Sequence, residues 1–286
     1  MKGDHSILLL CDVLGVARSG YYRWSHAPMS KRREQDAQLA SYIAVSHRES
    51  RGNYGAPRIV ADLRDEGIAT SRRRCTRLMR ELGLQGRKKH RHKPRTTDSR
   101  HDKPVAPNML AILEKPQAPN QVWVTDITYL HTAEGWLYLS VIMDAWSRRV
   151  VGWACAPTMV ATLVSAALQD ALNRRRPPPG LLHHSDRGSQ YVDSEYVAAL
   201  NAAGIARSMS RAGNCYDNAA MESFWSSLKT ETRMDIQPAA SRAQARLAIF
   251  DHIETFYNPK RRHSSLGYLS PVAFENKHTK LDSKAA

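Results

Sequence analysis

Three acids stand out by the company they keep. Asp126 interrupts an otherwise apolar, β-branched run, Val122-Trp123-Val124-Thr125-Asp126-Ile127-Thr128-Tyr129, although aspartate has poor strand propensity. Burying an unpaired carboxylate is costly, so an Asp there implies a cation, strong hydrogen-bond donors or an exposed strand end. Asp186 follows Leu181-Leu182-His183-His184-Ser185 and precedes Arg187-Gly188, which puts it at the carboxyl end of an expected strand, the edge where ligand sites of α/β sheets gather. Glu222 sits beside Ala219, Ala220 and Met221, on a partly covered helix face. Singly each has an ordinary explanation: an edge-strand residue, an Asx-turn former before Gly188, a helix-surface acid. If the strand of Asp126, the strand of Asp186 and the helix of Glu222 converge in one mixed sheet, three carboxylates share a cleft and repel one another. Divalent cations relieve that repulsion, and all-oxygen ligation suits Mg²⁺ or Mn²⁺ rather than zinc. Two such ions, roughly 3.5–4 Å apart, would clamp the attacking and leaving oxygens of an in-line phosphodiester displacement.

Other residues near these elements have two readings. Lys229, seven residues past Glu222, returns to nearly the same helix face about 10 Å along the axis; it either reaches a DNA backbone or caps a solvated helix end. Asn218 shares that face. His183 and His184 either assist the acids or are satisfied inside the core, and Asp144 and Asp193 are expected in turns or caps. The loop Lys260-Arg261-Arg262-His263-Ser264-Ser265-Leu266-Gly267 offers Arg261, Arg262 and His263 to phosphates, or covers the core.

The elements that must position these groups follow from periodicity. Gln121–Leu130, Trp136–Asp144 and Arg148–Cys155 read as an antiparallel meander. A helix follows from about Pro157 to Arg174, then a buried strand Leu181–Asp186, a helix Ser194–Ala203, a short strand Ile205–Met209 and a helix from Asn218 to about Arg233, giving the order β-β-β-α-β-α-β-α. A helical stripe of Ala245, Ile249, Phe250, Ile253, Phe256 and Tyr257 ends at Asn258-Pro259. The expected class is α/β, a mixed sheet flanked by helices. A small all-α region precedes it. There Ile7–Trp24 holds a helical fragment and Lys31–His47 a polar helix with Leu39, Ile43 and Val45 on it. Pro57–Glu66 and Ser71–Leu82 form a helix-turn-helix across Gly67-Ile68-Ala69-Thr70. In the second of these, Ser71 is the expected N-cap and Cys75, Leu78, Met79 and Leu82 the buried stripe. The other face carries Arg72, Arg73, Arg74, Arg77 and Arg80 with Glu81 as its one acidic neighbour, a pattern suited to DNA phosphates or to plain solvation. The expected organisation is a DNA-binding region at 1–92 (helix-turn-helix at about 56–82), a linker at 93–118, a core at 119–276 and a tail at 277–286.

The bulk properties agree with a polyanion partner. Of a formal charge of +15 over 286 residues, residues 1–110 hold 23 Lys/Arg against 11 Asp/Glu, and residues 111–286 hold 19 against 16; the excess is N-terminal, as phosphate contacts require. The uncharged stretch Val150–Leu168 approaches membrane-spanning length, but Pro157 divides it, and strand followed by buried helix fits its residues better. Cys11, Cys75, Cys155 and Cys215 stand far apart with no CxxC pair, excluding a zinc finger or a disulfide framework as the organising principle. With no signal peptide legible, a cytoplasmic protein without a membrane partner is expected.

Four segments carry a family resemblance: Trp123-Val124-Thr125-Asp126-Ile127-Thr128-Tyr129, His184-Ser185-Asp186-Arg187-Gly188-Ser189-Gln190-Tyr191, Asn218-Ala219-Ala220-Met221-Glu222-Ser223-Phe224-Trp225, and Tyr257-Asn258 through Leu266-Gly267, with 35 residues between Asp186 and Glu222. Upstream, Arg51 to Ile59 and Gly20 to Trp24 fit the same pattern. The chain resembles bacterial insertion-sequence transposases of the IS-three type, second reading frame product, whose core is like that of retroviral integrases. The resemblance implies an RNase H-like core with Asp126, Asp186 and Glu222 as catalytic metal ligands, dependence on two Mg²⁺ ions for which Mn²⁺ can substitute, and hydrolytic release of a 3′ hydroxyl that then attacks another phosphodiester. It also implies DNA partners (terminal inverted repeats and target), a homo-oligomer on DNA, and joint action with an upstream-frame product or as a frameshift fusion.

Overall fold

The structure, a computed structural model, describes residues 5–26, 29–87, 105–210 and 219–285, the last six as backbone only. The chain divides into two compact units, Met1–Gly86 and Arg87–Ala286.

The first unit is helical: α1 (Ile7–Val13), α2 (Arg18–His26), α3 (Lys31–Glu49), α4 (Ala56–Asp65) and α5 (Arg72–Glu81). Leu39 and Ile43 of α3, Ile59 and Leu63 of α4, and Cys75, Leu78 and Met79 of α5 are buried, so three amphipathic faces close on one another. Ser71 Oγ accepts from the Arg74 amide at 3.2 Å, satisfying one of the orphan donors of the first turn of α5. The turn before it needs a left-handed residue and has one in Gly67, φ 78°. Two expectations are corrected. α5 ends at Glu81, so Leu82 leaves the buried stripe and stands 42% exposed; Val45 is likewise 39% exposed.

The second unit is a five-stranded mixed sheet in the order β3-β2-β1-β4-β5. Strands β1 (Val122–Thr132), β2 (Gly135–Asp144) and β3 (Val150–Ala156) form the antiparallel meander. β4 (Leu182–Ser185) and β5 (Ala206–Met209) add parallel to β1. Helices α6 (Ala161–Arg175) and α7 (Ser194–Ala202) cover one face, where Val164, Leu168, Tyr196 and Leu200 pack on Trp123, Ile142 and Val151. Helices α8 (Ala219–Thr232) and α9 (Arg242–Phe250), with the π-helical turn Asp251–Tyr257, cover the other, where Met221, Phe224, Leu228 and Ile249 meet Val122, Val124, Leu139 and Val141. Alternate residues of β1 thus feed opposite cores, as the two-residue period of a strand requires. α6 lies so close that a Cβ on Gly152 of β3 would come within 2.4 Å of the Ala167 carbonyl. The uncharged Val150–Leu168 stretch is β3 and the first half of α6, and no described helix is long and apolar enough to cross a membrane.

Two segments depart from expectation. Part of the expected linker docks on the sheet: the Met109 amide donates to Ser208 Oγ at 2.9 Å, and Leu110 packs against the α8 side of the core. The expected tail belongs to a continuous helix α10 (Pro271–Ala285), fixed where buried Glu275 receives Arg149, Arg175 and Ser147.

Candidate active site

The sheet's register brings two of the acids together. β1 pairs with β4 at Val122↔Leu182, Trp123↔His183 and Val124↔His184. Carried two steps further, the same register sets Asp126 across from Asp186 and on the same face, where the pairing has ended. Neighbouring strands lie roughly 4.8 Å apart, so two carboxyl groups at this point feel each other strongly. β1 continues beyond them, paired to β2 on its other side with Asp126 opposite Val141, and bridged at its end, Thr132, by Ala239.

The electrostatics carry the mark of that approach. Burial first, then the charge of Asp186 and finally that of Glu222, push Asp126 up to about 7. Hydrogen bonds oppose the rise: Trp225 Nε1 donates to Oδ2 at 2.8 Å and the Ile127 amide to Oδ1 at 2.8 Å. Asp126 keeps an edge open to solvent although protein surrounds most of its carboxyl. Asp186 does form the Asx turn that was its ordinary explanation, its Oδ1 accepting from the Gly188 amide at 2.9 Å. Behind the pair, Tyr191 is buried, and after burial both Asp186 and Asp126 help raise its phenol well above the ordinary range. Glu222 stands exposed in the first turn of α8, three residues before Trp225. Among the described residues no three of His, Cys, Asp and Glu are close enough to share one ion as they stand. The donor set nonetheless suits a hard divalent cation: oxygen ligands, two of them apposed, one raised by burial and by the other's charge.

Known proteins resemble this chain along most of its length. The family description "Integrase core domain" matches residues 116–215 and, through a second model so described, 203–271; "HTH-like domain" matches 33–92. The "Insertion element IS600 uncharacterized 31 kDa protein" of Shigella sonnei is 46% identical over 95% of this chain and 99% of its own length. "Transposase InsF for insertion sequence IS3A" of Escherichia coli (strain K12) is 41% identical over 97% of this chain and 96% of its own. This chain belongs to the IS3 family of insertion-sequence transposases. The solved HTLV-2 integrase catalytic core domain in complex with magnesium (dimeric form) superposes with a TM-score of 0.43 at 16% identity, over 56% of this chain and 98% of that one, too distant a likeness to add to the assignment.

In this IS3 transposase the other singled-out residues fall into distinct places. Lys229 lies half-buried with its ammonium 5.4 Å from the centre of the Tyr129 ring; burial lowers its pKa and the charge of Asp126 opposes that fall. Asn218 lies outside the described residues. His183 and His184 belong to the core: His183 Nε2 meets the Tyr196 hydroxyl at 2.7 Å and His184 Nδ1 meets Ser208 Oγ at 2.9 Å. Asp144 takes the amides of Asn120, Trp146 and Ser147, and Asp193 caps α7, the turn and cap roles expected of them.

The basic loop is corrected in its first member. Arg261 is 3% exposed, gripping both oxygens of Glu231 and donating to Ser227 Oγ, so no phosphate can reach it. Arg262 donates to the Tyr268 carbonyl and His263 sets its ring edge-on to Tyr257, both half-buried. On α5, Arg72, Arg73 and Arg80 are exposed, but Arg74 and Arg77 both bind Asp36 of α3, an acid the sequence reading overlooked because it lies 38 residues upstream of Arg74. Those two hydrogen bonds, Arg74's the stronger, hold the Asp36 carboxyl below its ordinary range. Trp225 and Tyr191 were missed as well; an aromatic beside an acid on a helix or a turn reads as core, and nothing local marks an indole N–H aimed at a strand.

Proposed function

We propose that this transposase cuts the 3′ ends of its element and joins them to target DNA, with Asp126, Asp186 and Glu222 as the ligands of two divalent ions, Mg²⁺ with Mn²⁺ as substitute. The observation that carries the reading is the apposition of Asp126 and Asp186 at the end of the parallel pairing, with the Asp126 carboxyl pushed up to about 7. When bound, such ions supply the positive charge that lets a carboxylate cluster form and that stabilises both oxygens of an in-line displacement.

The chain's own groups do the rest. Trp225 and the Ile127 amide fix the Asp126 carboxyl from one side, leaving its remaining lone pairs for a ligand. α8 carries Glu222 and Lys229 on one helix, so a single element brings both the third carboxylate and a cation for the DNA backbone. Hydrolysis of one phosphodiester frees a 3′ hydroxyl, and attack of that hydroxyl on a second phosphodiester exchanges one ester for another with no covalent enzyme intermediate. The helix-turn-helix presents Arg72, Arg73 and Arg80 to the terminal repeats, where phosphate contacts position the protein. An upstream-frame product or fusion and a homo-oligomer on DNA complete the proposed assembly.

The test is nicking of a duplex bearing the element's terminal repeat with Mg²⁺ or Mn²⁺, followed by joining of a pre-cut end. Asp126→Asn, Asp186→Asn and Glu222→Gln should each lower both by at least a hundredfold while leaving DNA binding in place. Full activity in all three variants removes the proposal, and cutting without joining leaves a nuclease instead.

A further inference from the structure

The end of the β1–β2 hairpin carries an aromatic group that the chemistry above does not use. Trp136 lies directly across from His131, with ring centres 5.0 Å apart, and diagonally from Tyr129 at 4.9 Å, edge to face in both cases. Cross-strand aromatic pairs commonly stabilise a hairpin, but this one is secured without them. Backbone pairing runs from Trp123↔Asp144 to Thr132↔Gly135, Thr132 Oγ1 donates to the Gly135 carbonyl at 2.6 Å, and Arg242 Nε ties down the Trp136 carbonyl at 3.1 Å. Trp136 nevertheless leaves 45% of its surface in solvent.

The cluster adjoins the acids through a cation. The Lys229 ammonium rests by Tyr129 and feels the charge of Asp126; Tyr129, three residues along β1, projects from the opposite face of the sheet to Asp126, so Lys229 is what links the two. An exposed indole on an aromatic bed, with Lys229 on one side and Arg242 on the other, is the combination that holds single-stranded nucleic acid: a flat π-face for a base and positive charge for its phosphates. From Thr125 to His131 β1 has no β4 partner, and at Thr132 that side is bridged by Ala239.

We propose that Trp136, bedded on Tyr129 and His131, is a stacking platform for an unpaired nucleobase of the bound DNA. The platform rests on the reading of this chain as acting on DNA at Asp126. Its occupant is a single-stranded overhang or frayed end, recognised by stacking and so tolerant of base identity.

The test uses the full chain, without divalent ions, and two DNA probes: a blunt duplex and the same duplex with a short single-stranded overhang containing 2-aminopurine. The parent should bind the overhang roughly tenfold more tightly and quench the 2-aminopurine fluorescence. Trp136→Ala should lose both the preference and the quench while binding blunt duplex as before, and Trp136→Phe should retain most of the preference. Equal affinity of the parent for both probes overturns the proposal, as does an equal loss on both probes in Trp136→Ala, which would mean a structural role. Because nothing is cut here, failure of the metal reading shows only in the nicking assay and failure of the platform only in this one.

Discussion

Arg261 separates a surface contact from an internal brace, and its replacement has a calculable cost. Its guanidinium meets the carboxylate of Glu231 at 2.7–2.9 Å, and the two side chains are 4% and 6% exposed. His252 Nε2 lies 3.9 Å from the same carboxylate, too far to replace the lost donors. Arg261→Ala therefore removes the guanidinium's hydrogen bonds from a buried carboxylate, which costs about 3–5 kcal/mol. In a unit of this size each kcal/mol lowers the melting temperature by roughly 2–4 °C, so a fall on the order of 10 °C is expected. Replacing both partners, Arg261→Met with Glu231→Gln, should recover more than half of it, because neither position then buries a charge. The assays are thermal unfolding and urea titration of parent, single and double variants, with DNA binding against salt concentration measured well below the transition. A phosphate contact would behave differently: stability intact and the salt dependence of binding flatter by about one ion. A stable Arg261→Ala variant with that flattened slope would refute the brace.

Two further outcomes are expected. Burial holds His183 neutral, its pKa pushed down to about 3; the unfolded chain therefore binds more protons between that value and the ordinary 6.5, and stability should fall as pH drops below 6.5, by about 2 kcal/mol at pH 5. His183→Gln should flatten this part of the urea-midpoint profile, and an unchanged slope would argue that the ring is protonated in the fold. Gly152→Ala should destabilise by about 1–3 kcal/mol, since the new methyl meets the backbone of α6 at Ala167 and Ala171; an unaltered urea midpoint would show that α6 can lift away at no cost.

Much of the fold was legible because each strand is a dense apolar run and each helix a stripe, and local pattern records both. Asp126 drew notice for the same reason, as the one acid in such a run. What pattern could not record was pairing at a distance. That Asp126 and Asp186 occupy equal steps beyond Val124 and His184 depends on which strands pair and where they start. Arg261 looks like its neighbours Lys260 and Arg262 in sequence, and only the position of Glu231 on α8 draws it inward. Asp36 escaped notice because a helix-by-helix census of charge ignores the helix next door. Residues 277–285 are polar and lack a strong stripe, so they read as a tail rather than as part of α10; the helix is anchored at the buried carboxylate of Glu275 and the Phe274 ring on Trp146.

The way β4 lies along β1 also governs how such a chain can change length. Insertions between the two strands, in the α6 region or the loop after it, leave the acids facing each other. One residue added or lost inside Leu182–Ser185 would instead turn Asp186 to the opposite side of the sheet, toward α6 and α7, while the apolar run could still form a strand. On the proposed reading, the outcome would be a folded, DNA-binding protein with no chemistry, a damaged copy that would compete with intact ones for the same element ends.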